Sequence, residues 1–81
     1  MQIDIKQLEK IFQEAFGVPV VLTPSTGKDD LEAWDSINHL NLIVELEDHY
    51  KVKFNIKEIE SLNSVSDILS LLNQKLNNTN F

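Results

Sequence analysis

The chain has no cysteine, which excludes a disulfide framework and any thiolate metal site. Thiol chemistry in this protein has to come from an added group. No apolar run approaches the roughly eighteen residues of a spanning helix, and no charged-then-apolar leader opens the sequence, so a cytoplasmic protein is expected. Basic residues are scarce: seven stand against thirteen acids, a formal net charge of −6. A field of that sign repels nucleic acid and anionic membrane and steers partners with basic surfaces. No internal repeat or compositional break marks a second domain, and a chain of 81 residues is expected to form one, 1–81. At this size only about 60–65% of the unfolded surface is buried, which leaves a thin core and little depth for an enzyme cleft.

The charge that is present is concentrated. Between Lys28 and Asp48 seven acids face a single lysine, which accounts for the whole −6, while the flanking stretches nearly cancel. Within this acidic stretch, Ser36 to Tyr50 reads as one helix. At about 100° per residue, Ile37, Leu40, Leu42, Ile43, Val44, Leu46 and Tyr50 cover an arc of about 220°, against the roughly 100° a one-sided surface helix needs. Such a helix is central, or it leaves part of its apolar arc to a partner. Asn38, Asn41, Glu45, Asp48 and His49 fill the opposite arc. Asp35 stands where an N-cap belongs, able to take an orphan amide of the first turn, and Ser36 occupies the first helical position. Free N–H groups and partial positive charge at such a mouth suit a phosphate, so a phosphodiester on Ser36 would sit there at little cost.

The remaining elements follow from periodicity and punctuation. Ile5, Leu8, Ile11, Phe12, Ala15 and Phe16 form a helical stripe over about 3–16, with Gly17 placed for a left-handed cap. From Val18 to Trp34 the turn residues around Pro24 and Gly27 and the scarcity of strand partners predict a long loop pinned by its apolar side chains. After the central helix, Lys51 to Asn55 is an extended connector with Val52 and Phe54 turned inward. A short helix is expected over 56–61, with Ile56, Ile59 and Leu62 on one stripe. Ser64 and Asp67 form a capping box opening a last helix over 65–76, and 77–81 is expected to fray. The fold class is all-α: a four-helix bundle with a long first loop and a short third helix.

The run Asp35-Ser36-Ile37 opening an acidic amphipathic helix resembles the modification site of acyl carrier proteins, and length, acidity, helix spacing and serine placement extend the resemblance over nearly the whole chain. It implies the acyl-carrier type of bundle and the role of a carrier, not an enzyme. It further implies 4'-phosphopantetheine, derived from coenzyme A, on Ser36, with Asp35 also serving the modifying phosphopantetheinyl transferase, which holds a magnesium ion. The attached arm would carry an acyl thioester to successive enzymes. Ile37, Leu40, Val44, Glu47 and Asp48 would form the docking surface for the transferase, an acyl ligase or acyltransferase, and other pathway enzymes with basic surfaces, with the carrier acting as a monomer. Leu46, Phe54, Ile59, Leu62 and Ile68, which are core residues on their pattern alone, are the candidates for lining an acyl pocket. Ile37 replaces the family's usual leucine. Asn38 and Asn41 stand where fatty-acid carriers commonly present acids, and with Trp34 ahead of the motif they point to a specialised biosynthetic pathway.

Other readings fit less of the chain. An aminoacyl or peptidyl carrier uses the same serine and arm. An unmodified acidic helical adaptor needs only the charged helix. His39 lies one turn after Ser36, but a serine and histidine three apart on a helix rarely reach nucleophile–base geometry, and no orienting group or oxyanion site is evident. Glu45 and His49 are spaced for a metal ion at i and i+4, yet two ligands do not make a site, and none is expected.

Overall fold

The computed structural model describes residues 4–77. Four α-helices run in the order α1 (Ile5–Phe16), α2 (Ser36–Tyr50), α3 (Ile56–Ser61) and α4 (Val65–Asn77), with a short 3₁₀ helix, Lys28–Asp30, in the loop after α1. Residues 78–81, most of the tail expected to fray, lie outside the described residues, and Asn77 closes α4.

Each helix starts where a side chain takes up an orphan amide. The Asp4 carboxylate accepts from the Lys6 N–H at 3.0 Å, so Asp4 caps α1 and the helix begins at Ile5; residue 3, the expected start of the helix, lies outside the described residues. It ends at Gly17, whose φ of 72° is the left-handed cap and whose N–H donates to the Gln13 carbonyl. The last turn of α2 closes the same way without a glycine: Lys51 takes φ 56°, a conformation that costs an L-residue roughly 1 kcal/mol. At α3 a reciprocal box joins Asn55 and Glu58, each side chain accepting from the other's backbone N–H. The box expected at α4 is shifted. Ser64 Oγ accepts from the Asp67 N–H, but Asp67 reaches back to the Asn63 N–H. The Ser64 segment is otherwise engaged, because it makes an isolated antiparallel bridge with Gly27.

That bridge shows how the long loop is held. Lys28 N–H donates to the Asn63 carbonyl and Val65 N–H to the Thr26 carbonyl, both at 2.8 Å. Nearer its start the loop is tied to α1 by side chains: Gln13 Nε2 donates to the Val20 carbonyl, and Glu9 accepts from the Leu22 N–H. Val20 and Leu22 are thereby turned into the core, while Val18 and Val21 are exposed. The core itself joins Leu8, Ile11, Phe12 and Phe16 of α1, Leu42, Ile43 and Leu46 of α2, and Val65, Ile68 and Leu72 of α4, with Phe54 and Leu62 from the connectors. α3 contributes no fully buried residue. Ile56, expected on the inner stripe, is 73% exposed; with only six residues the helix turns Ile59 partly inward and leaves its first residue in water.

Candidate functional site

The entrance to α2 is built from the loop, the helix and α3 together. Trp34 N–H donates to the Leu31 carbonyl and Asp35 N–H to the Ala33 carbonyl, a tight turn that delivers Asp35 in extended conformation to the cap position. Its Oδ1 accepts from the Asn38 N–H at 2.8 Å. Ser36 is then the first residue of α2 and exposed. Helix geometry leaves the N–H groups of Ser36 and Ile37 without a partner four residues back, so a phosphate esterified to Ser36 would meet the positive end of the helix. The serine is exposed among the described residues, so the site fits a bulky covalent arm.

Behind the serine lies an arrangement that the sequence alone does not reveal. Trp34 is buried at 4% exposure, its ring edge-on to Phe12 with centroids 5.1 Å apart. Its indole N–H donates to Nδ1 of His39 at 2.8 Å. With Nδ1 accepting, the imidazole carries its proton on Nε2, which donates to the Ile59 carbonyl at 2.8 Å. His39 is itself buried. One imidazole therefore fastens the loop, α2 and α3 to each other. Both nitrogens are committed, so His39 is no base for Ser36. Trp34 is a core residue, so its place ahead of the motif has a packing reason.

The other expected site residues divide between surface and core. Ile37, Leu40 and Val44 are exposed at 73%, 57% and 62%, along the helix from Ser36, with Ile56 of α3 also exposed. Asp48 is exposed. Glu47 is half-buried and its carboxylate accepts from the Phe54 N–H at 2.9 Å, so it secures the connector as well as carrying charge. Asn38 Nδ2 donates to the Ala33 carbonyl at 2.8 Å, a contact closed to a carboxylate. Asn41 is exposed and donates to Asn38 Oδ1. Of the five acyl-pocket candidates, Leu46, Phe54, Leu62 and Ile68 are buried in the core and Ile59 packs against it. Two surface clefts of about 480 and 470 Å³ lie elsewhere, one between α1 and the end of α2, the other beside Val44 and the Lys51–Lys53 connector.

Residues 6–72 match the family model described as the phosphopantetheine attachment site. The fold also matches the solution NMR structure of a holo acyl carrier protein from Geobacter metallireducens, with 43% sequence identity, a TM-score of 0.81, and coverage of 90% of this chain and 85% of that one. The chain belongs to the acyl carrier protein family, whose cofactor is covalently attached 4'-phosphopantetheine. It is a carrier and not a catalyst, and it works through partner enzymes. No helix among the described residues is long and apolar enough to cross a membrane.

Proposed function

We propose that Ser36 carries the 4'-phosphopantetheine arm and that α2, beginning there, is the surface on which partner enzymes dock. The observation that carries this reading is the exposed hydroxyl at the first residue of α2, beside the cap formed by Asp35. When attached, the arm supplies a terminal thiol that holds an acyl cargo as a thioester. The chain's own residues do the rest. Asp35 orders the first turn, and the helix mouth accommodates the phosphate charge. Ile37, Leu40 and Val44 offer an apolar rim to an approaching enzyme, flanked by the acid of Asp48. The cytoplasmic setting read from the sequence belongs to the same proposal.

The test is intact mass after incubation with a broad-specificity phosphopantetheinyl transferase and coenzyme A. The wild type should gain one arm, and Ser36→Ala should fold and gain none. An arm appearing in that variant at Ser25, Ser61, Ser64, Ser66 or Ser70 would displace the assignment.

Service in a specialised pathway rests on Asn41, since Asn38 has a local structural use. The arm-bearing protein, loaded with a short acyl group, should turn over poorly with a fatty-acid condensing enzyme. Asn41→Glu should recover part of that turnover, while turnover equal to a fatty-acid carrier would remove the reading. Loading by an amino-acid-activating ligase would instead indicate an aminoacyl cargo.

A further inference from the structure

At the far end of α2 from the attachment serine, three ligand-bearing side chains meet from two helices. Glu14 comes from the last turn of α1, and Glu45 and His49 are one turn apart on α2. Their ligand atoms lie within 4.8 Å of one another. His49 Nε2 is 3.5 Å from a Glu14 oxygen and 3.8 Å from a Glu45 oxygen, beyond the 2.7–3.2 Å or so of a well-made N–H···O hydrogen bond. Ligands at about 2.0–2.2 Å on a tetrahedral zinc ion stand roughly 3.3–3.6 Å from each other. The His49–Glu14 separation falls in that range and the His49–Glu45 separation lies just beyond it, so small side-chain rotations would bring the three onto one ion. All three are partly exposed, and Glu14 and His49 help to line the cleft of about 480 Å³. That leaves room for a water as fourth ligand.

We propose that Glu14, Glu45 and His49 form a divalent transition-metal site, taking zinc, that staples α1 to the C-terminal half of α2. Two carboxylates and one neutral imidazole balance a dication and suit zinc over magnesium, which favours an all-oxygen shell. Ser36 and His49 are about 20 Å apart along α2, so the ion and the phosphopantetheine arm do not compete. Acid opposes binding, because the imidazole must be deprotonated to ligate. The chain has two histidines and no cysteine, and both nitrogens of the buried His39 are in use, so His49 is the one imidazole available.

The probe is zinc chloride, titrated calorimetrically at neutral pH into the untagged, chelator-treated full chain. One ion should bind per chain and raise the thermal midpoint as its concentration passes Kd, while magnesium chloride at the same concentration leaves the midpoint unchanged. His49→Gln and Glu14→Gln should each weaken zinc at least tenfold, with circular dichroism showing both variants as helical as the parent. In the wild type, zinc should shift the imidazole proton resonances of His49 and leave those of His39 in place, a measurement that needs no variant. Unmoved His49 resonances, equal binding by the variants, no binding at millimolar zinc, or an equal response to magnesium would each overturn the proposal.

Discussion

His39 and His49 belong to the same helix, yet their surroundings are opposite. His39 is buried, accepts from an indole at one nitrogen, and donates to a carbonyl of another helix at the other. His49 has 37% of its side chain exposed and faces two carboxylates at long range. The contrast extends to the two ends of α2. The end bearing Ser36 is bonded into the loop and α3, so the surface presented at the serine depends on three elements holding together. The other end meets α1 through charge and apolar contact, and its ion pairs face water, where such pairs contribute little. Stability should therefore respond steeply to changes at the serine end and shallowly at the far end.

The largest expected effect is at His39. Replacing it with alanine leaves the Trp34 N–H and the Ile59 carbonyl without partners and opens a void, together about 3 kcal/mol. His39→Phe fills the space but not the bonds and should cost about 2 kcal/mol. His49→Ala in the presence of chelator should stay within about 0.5 kcal/mol. Urea unfolding followed by circular dichroism measures all three, and equal costs at the two histidines would erase the contrast between the ends.

A smaller effect, of opposite sign, is expected at Tyr50. Its hydroxyl is buried and has no hydrogen-bond partner among the described residues. Burial, with the Asp4 charge second, raises its pKa above the ordinary 10.0. The folded state therefore keeps a proton that the unfolded chain releases, and the associated stability is present below about pH 10 and lost as pH rises through the folded value. Tyr50→Phe should stabilise the protein by about 0–1 kcal/mol at neutral pH and flatten this alkaline loss. An unchanged alkaline limb would assign it to other groups.

Much of this was legible in the residue pattern, for identifiable reasons. The start of α2 could be read because capping is local: Asp35 and the amide it accepts from are three residues apart. Gly17 announced its own conformation. The clasp at His39 could not be read, because its partners stand five residues before and twenty after it in the chain. Glu14 was equally invisible as a neighbour of His49, since only the packing of α1 on α2 brings them together. The 3₁₀ helix in the loop and the left-handed Lys51 follow from contacts and closure that no local propensity announces. The exposure of Ile56 has the same lesson. A period of three marks a stripe, but in a helix of six residues only part of that stripe reaches the core.

At α3, held to the serine end by His39, a modest pH effect is expected. Glu58 lies below its ordinary pKa of 4.5, first through the Asn55 N–H and then through Lys75, whose ammonium is 2.9 Å away. A depressed carboxylate pKa stabilises the fold above the unfolded value, and that part is lost as pH falls through the folded one. Glu58→Gln should remove a few tenths of a kcal/mol at neutral pH, given the partial exposure of the pair, and should soften the acid limb below about pH 4.5. Parallel acid limbs for variant and parent would show that α3 does not depend on this carboxylate.

The smallest effect concerns approach to the serine and not stability. The net charge lies between Lys28 and Asp48, so a transferase with a basic surface should be drawn to α2. Glu47 is a poor place to test this, because its reversal also breaks the bond to the Phe54 N–H. Glu9 is a poor control for the matching reason, its bond to Leu22. Asp48 and Glu60 are both exposed, one on the docking helix and one on α3, and a lysine at either changes the charge by the same amount. Asp48→Lys should slow phosphopantetheinylation about two- to threefold at low ionic strength, with Glu60→Lys nearer the parent. The gap should close toward 1 M salt, where the Debye length falls from about 10 Å at 0.1 M to about 3 Å. Equal slowing by the two variants would mean that total charge governs encounter and that α2 has no privileged face. A gap that survives high salt would mean that Asp48 makes a close contact in the complex instead of steering at a distance.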